Sequence, residues 1–127
     1  MNVVEVPDEK APPTLSAREE DQVRAAEGAR LLAKIRPSDY VVALEIGGRR
    51  MGSEAFAAFL ERTAASGKST IDFVIGGSLG LSPEVSRRAD VSLSFSDFTF
   101  CHQLMRVILL EQVYRAFKIL ANEPYHK

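Results

Sequence analysis

The sequence is poor in the residues that most often advertise a function. It holds a single cysteine, Cys101, and two histidines, His102 and His126, in 127 residues. One cysteine excludes an internal disulfide and any cysteine cluster for zinc, so no metal is expected. A reducing cytoplasm is the expected setting. No apolar run approaches the ~20 residues of a membrane helix, and no membrane partner is expected. Met1-Asn2-Val3-Val4-Glu5 has neither the basic start nor the apolar stretch of a signal peptide. Positive charge is not in excess either: 16 Lys and Arg stand against 17 Asp and Glu. That balance argues against broad, non-specific nucleic-acid binding, which leaves a basic footprint. A nucleic-acid partner would have to be held locally, by Arg49-Arg50, Arg87-Arg88, Arg106, Arg115, Lys118 and Lys127.

What is present reads as one α/β domain over residues 1–127. Hydrophobic residues make up 46% and charged residues 26%, which is ordinary for a globular chain able to bury one core. Asn2–Val6 is a short β-prone run ended by Pro7, and Pro12-Pro13 mark an extended linker. Ser16 and Glu19 have capping-box spacing and predict a helix to about Ile35, where Arg36-Pro37 stops it. Tyr40–Ile46 is a continuous apolar run, as in a strand covered on both faces, and Gly47-Gly48 ends it. A second helix is expected over about Glu54–Ala65, capped by Ser53, with Phe56, Phe59 and Leu60 inward. Ile71–Ile75 is a second buried strand. Ser82-Pro83 predicts the start of a short helix to about Arg88. Val91–Phe95 is a third strand, and His102–Ala121 the last helix, with Leu104, Ile108, Leu109, Val113, Phe117 and Leu120 as core candidates. Strands alternating with helices predict a mainly parallel sheet with flanking helices.

In such sheets ligands bind in the loops beyond the carboxyl ends of the strands. Here those loops are Gly47–Met51, Gly76–Ser82 and Ser96–Cys101. The second, Gly76-Gly77-Ser78-Leu79-Gly80, matches neither the dinucleotide fingerprint nor a P-loop. Its glycines suit either a tight turn or a close backbone approach to a ligand, and its leucines suit a flat heterocycle better than a polyphosphate. The third offers hydroxyls, a carboxylate and two rings. Its plainer reading has Asp97 or Thr99 capping the helix, Phe98 in the core and Cys101 as a buried spectator thiol. Along the last helix Glu111 and Arg115 form an i,i+4 pair, either a solvated face or a held arginine. Tyr125-His126-Lys127 is rich in chemistry for a chain end, where fraying is the usual expectation.

Taken together, IGGSLGLS, LSFSDFTFCHQLMRVILLEQVYRAFKI and NEPYHK resemble the bacterial ribosomal RNA large subunit methyltransferase H family, a single-domain branch of the SPOUT methyltransferases. VPDEKAP and SDYVVALEIGG agree, so the resemblance spans essentially the whole chain. It implies a SPOUT-type fold with a C-terminal trefoil knot, a homodimer, and S-adenosyl-L-methionine as cofactor. It also implies methylation of N3 of a pseudouridine in 23S ribosomal RNA, within the assembled ribosome. Carried onto this sequence, the cofactor positions are Leu44, Gly77, Ser96, Asp97, Phe98, Thr99, Phe100 and Cys101. Tyr125 and His126 are expected to reach the target base, with Arg106 and Arg115 as RNA or structural contacts. The imide proton at N3 must be removed, and His126, His102 and Arg115 are the candidate groups, His126 foremost.

Two departures from the family stand out. Cys101 occupies a usual proline position, and a strand and helix expected upstream of Asn2 are missing. A non-catalytic RNA- or ribosome-binding module retaining the fold is therefore the alternative. An enzyme acting on transfer RNA comes third, since it would call for an appended RNA-binding domain.

Overall fold

The computed structural model describes residues 14–76 and 79–126. The expected strand Asn2–Val6, the Pro12-Pro13 linker and Gly77 lie outside the described residues. Three strands, β1 (Tyr40–Arg50), β2 (Ile71–Ile75) and β3 (Val91–Ser94), form a parallel sheet in the order β2-β1-β3. Helices α1 (Ala17–Leu32), α2 (Ser53–Ala65), α3 (Pro83–Arg88) and α4 (His102–Leu120) flank it. Parallel pairing needs a crossover between strands, and α2 and α3 supply them.

The central strand is covered on both faces, as its continuous apolar run requires. Val41, with Val74 and Val85, packs beneath Leu31, Leu32 and Ile35 on the side of α1 and α3. Val42 and Leu93 point the other way, into a core made with Phe56, Phe59 and Leu60 of α2 and Leu109, Val113 and Ala116 of α4. Phe56 anchors this second core, meeting Phe73 at 6.0 Å and Phe95 edge-on at 6.0 Å. α1 begins on the expected capping box: the Glu19 amide donates to Ser16 Oγ at 3.2 Å, and the Ser16 amide to Glu19 Oε1 at 3.3 Å. It ends three residues before Ile35, in a turn. α3 starts as expected, with Ser82 Oγ accepting from the Val85 amide ahead of Pro83.

Several expectations are corrected. β1 does not stop at Gly47-Gly48. It bulges after Leu44 and resumes against β3, so that Leu93 is paired with both Leu44 and Arg49. Glu45, within this irregular stretch, is held by the hydroxyls of Ser86 and Ser92, each donating at 2.6 Å. Ser53 is not the cap of α2; Gly52 is, without a side-chain bond, which frees the Ser53 hydroxyl for α4. On α4, Leu104, Phe117 and Leu120 are exposed rather than in the core. The helix is apolar on more than one side, and the face carrying Leu109, Val113 and Ala116 is the one buried in this core.

At the amino edge of the sheet, opposite the strand-end loops, Asp39 and Asp72 lie together. Asp39 is buried and takes the Arg36 backbone amide at 3.1 Å and its guanidinium at 3.2 Å. The Asp72 carboxyl that hydrogen-bonds it, then Arg36, hold Asp39 below the usual carboxylate range. Burial first, and the Asp39 carboxylate second, push Asp72 up to about 6.

Candidate functional site

The carboxyl ends of the three strands lie along one edge because all three run the same way. Arg50, at the end of β1, donates to Asp97 Oδ2 at 2.7 Å and so ties the first loop to the third. Asp97 is thus a partner of Arg50, not the cap of α4. The cap is Cys101, without a side-chain bond. Within the third loop the Phe98 amide donates to Ser96 Oγ at 2.9 Å, and Ser94 Oγ to the Ser96 carbonyl at 2.9 Å. Phe98, expected in the core, is 77% exposed, and the Cys101 thiol is exposed rather than buried. Thr99 is exposed and Phe100 half-buried, while Leu44 stands half-buried at the end of the regular part of β1. In the second loop Gly76 packs against the backbone of Gly80, so close that a Cβ would sit 2.7 Å from the Gly80 carbonyl carbon. Gly80 itself has φ +82°. Both are the marks of a tight turn.

Beside these loops a groove of about 270 Å³ opens between Met51, Gly52, Ser53 and Phe56 on one wall and Phe95, Ile108 and Gln112 on the other. Two of its polar groups are locked together: Ser53 Oγ donates to Gln112 Oε1 at 2.7 Å. Gln112 Nε2 in turn donates to Glu111 Oε2 at 2.9 Å.

Residues 122–126 are folded back on the helix, not frayed, and Lys127 lies outside the described residues. After α4, Asn122 takes φ 57°, its amide donates to the Ile119 carbonyl, and the Glu123 amide to the Lys118 carbonyl. This is a Schellman turn with asparagine in the left-handed position, and it sends the tail back along the helix. Tyr125 then meets Tyr114 edge-on at 5.0 Å, lies under the Arg115 guanidinium at 4.8 Å, and donates its hydroxyl to Glu111 Oε1 at 3.2 Å. Arg115 binds Glu111 Oε1 through Nε at 3.0 Å and Nη2 at 2.6 Å, and its Nη1 lies 3.1 Å from His126 Nδ1. His126 Nε2 faces Glu54 at 3.6 Å. Arg115, followed by Tyr125 and Gln112, keeps the Glu111 carboxyl below its usual range. Glu111 in turn raises Arg115 above its own.

Of the expected site residues, the structure brings together Arg115, Tyr125 and His126, and separately Asp97, Ser96 and Phe98. His102 is not with the tail. It begins α4 beside Gln103, about 20 Å along the helix axis from Arg115 at 1.5 Å per residue. Half-buried Arg106 lies between them. Glu111 was expected only as the i,i+4 partner that could hold Arg115, which is the arrangement observed, and Gln112 was not singled out at all. The signal for Gln112 was its place next to Glu111 and three residues before Arg115.

The model of the family described as "Predicted SPOUT methyltransferase" matches residues 1–126. This chain belongs to the SPOUT methyltransferase family. Among similar proteins named "Ribosomal RNA large subunit methyltransferase H", that of Lactiplantibacillus plantarum is 59% identical over 127 residues, all of this chain and 80% of the relative. That of Exiguobacterium sibiricum is 60% identical over 124 residues, 98% of this chain and 78% of the relative. That of Listeria monocytogenes is 57% identical over 127 residues, again all of this chain and 80% of the relative. The family's methyl-donor chemistry is compatible with the described residues. The loop edge offers hydroxyls, backbone amides and apolar groups such as Leu44, Phe95 and Phe100, which fit a heterocycle carrying a polar amino-acid end. Among the described residues no group of three or more His, Cys, Asp or Glu could hold a metal ion, and no helix is long and apolar enough to cross a membrane.

Proposed function

We propose that this chain is an S-adenosyl-L-methionine-dependent methyltransferase acting on N3 of a pseudouridine in 23S ribosomal RNA. The observation that carries the reading is the similarity, over the whole of this chain, to proteins named for large-subunit ribosomal RNA methylation. In this reading the 127 residues are a single SPOUT domain with a C-terminal trefoil knot, working in the cytoplasm on the assembled ribosome.

Leu44, Gly77 and Ser96 through Cys101 would hold the cofactor, by backbone groups and hydroxyls around its polar end and apolar side chains around its ring. Bound there, the cofactor supplies a methyl group on a sulfonium, so catalysis is largely a matter of alignment. In that transfer the N3 proton would leave to water, the N3–carbon bond would form and the carbon–sulfur bond would break, the sulfur departing as a neutral thioether. Tyr125, His126 and Arg115 form the substrate-facing group. Two features support this role: the tail is ordered against α4, and Gln112 connects it to the groove. His102, at the other end of α4, belongs beside the cofactor loop in this reading, not with the target base.

The protein would act as a homodimer. The support is the outward face of α4, where Leu104, Val107, Tyr114 and Phe117 repeat at helical spacing and are exposed, Val107 at 60% and Phe117 at 61%. A face of this kind on a terminal helix suits a second copy of the chain.

The deciding experiment is transfer of labelled methyl to ribosomes from a strain without the modification, beside free ribosomal RNA and transfer RNA. Labelling of N3 on ribosomes alone is expected. Binding of the donor with no transfer to any of the three would leave a non-catalytic ribosome-binding module in its place.

A further inference from the structure

Glu111 accepts four hydrogen bonds, from three different side chains. Its Oε1 accepts from Arg115 Nε, Arg115 Nη2 and the Tyr125 hydroxyl, and its Oε2 from Gln112 Nε2. With two of its donors committed there, the planar Arg115 guanidinium has little freedom to turn, and its Nη1 is left against His126 Nδ1 at 3.1 Å. A guanidinium carries no acceptor and keeps its proton at any working pH. In that contact Nδ1 must therefore be the acceptor, which puts the ring's single proton on Nε2. An imidazolium would set a second positive charge and an N–H against the guanidinium. The Nε2 side faces Glu54 Oε1 at 3.6 Å, an orientation that also suits an N–H.

We propose that Glu111 is a positioning residue: through Arg115 it holds His126 as the neutral Nε2–H tautomer, so that the tail presents a hydrogen-bond donor and not a base. This rests on the reading of the tail as substrate-facing. The consequence for the reaction is specific. When N3 of the target loses its proton to water, the negative charge spreads onto the two flanking carbonyl oxygens. An N–H aimed at one of them stabilises that charge as N3 attacks the methyl group. The lone pair that would make His126 a base is already occupied by Arg115. Tyr125 is fixed by the same carboxylate, so one residue sets the position of both tail side chains.

The test is nitrogen-15 NMR of the full chain with labelled histidine, together with steady-state kinetics on ribosomes lacking the modification. In the unsubstituted protein His126 is expected to show a protonated Nε2 and an unprotonated Nδ1 at neutral pH. Glu111→Gln should convert it to a mixture of tautomers and lower kcat at least tenfold, while donor binding by calorimetry changes less than twofold. Arg115→Lys should mix the tautomers in the same way, and it decides the matter if the Glu111 variant does not fold. A proton on Nδ1 in the unsubstituted protein, or a variant that leaves tautomer and kcat unchanged, overturns the proposal. If no ribosome is methylated at all, the functional reading fails, while the NMR result still decides the tautomer.

Discussion

Gly48 lies against the backbone of Leu93 so closely that a Cβ built on it would be 2.7 Å from the Leu93 amide nitrogen. This contact is where β1 rejoins β3 after its bulge, and it is made to main chain, which cannot rotate away. Gly48→Ala should therefore force the two strands apart, with a cost in the upper part of the ~1–3 kcal/mol range of overpacked sites. Urea unfolding of the two proteins measures it. A loss under about 0.5 kcal/mol would mean that the extension beyond the bulge is pliable.

The Asp39–Asp72 pair gives a pH dependence with a definite sign. Asp72 has its pKa raised from 3.8 to about 6 in the folded state. Below 3.8 both folded and unfolded chains hold this proton, and its contribution is fully present. As the pH rises toward 6 the unfolded chain has released it and the folded one has not, so stability declines through that window and then levels off. Asp39 works in the opposite direction at lower pH, losing its contribution as it protonates. Asp72→Asn should raise the melting temperature at pH 7 and flatten the profile between about pH 4 and 6. A lower melting temperature at pH 7 would show that the ionised carboxylate is favourably held.

The turn after α4 depends on Asn122 in the left-handed region. Asn122→Gly should keep the turn, whereas Asn122→Val should cost about 1–2 kcal/mol locally and release the tail. Hydrogen exchange at the Glu123 and Tyr125 amides reads this directly, since both are bonded in the turn. Unchanged protection in the valine variant would mean that Glu111 alone holds the tail.

Placing a charge on the outward face of α4 separates packing within the domain from packing between copies. Val107→Glu or Phe117→Glu should leave the fold intact by circular dichroism, because neither side chain enters the core. Either should shift the protein from dimer to monomer by light scattering. A monomeric unsubstituted protein would remove this role from the face.

Removing residues 124–127 takes away Tyr125 and His126 without touching the strand-end loops. Binding of S-adenosyl-L-methionine should persist in calorimetry while methylation of ribosomes is lost. Retained turnover would show that the tail is not part of the substrate-facing group.

Much of the architecture was legible in the sequence because local signals and global fold agree. Ser16 and Glu19 started a helix on their spacing, Pro83 started another, and Ile71–Ile75 kept its predicted bounds. The misreadings have a common cause. Phe98, Leu104, Phe117 and Leu120 were assigned to the core by their chemistry, and chemistry does not say which apolar face belongs to this domain's core. Ser53 looked like a cap because caps are local; its true partner, Gln112, is 59 residues away. That the carboxyl ends of the strands share one edge was legible from topology alone. The clustering of Arg115 with the tail was not. It depends on a reversal at Asn122-Glu123-Pro124, whose left-handed asparagine followed by proline was a readable stop signal.

Ser53, Gln112, Glu111 and Tyr125 form one unbroken string of hydrogen bonds from the groove to the chain end. Such a string makes the two places reciprocal. A molecule in the groove that turns the Gln112 amide changes the affinity of the tail for α4 by some factor. Seating the tail must then change the affinity of the groove for that molecule by the same factor.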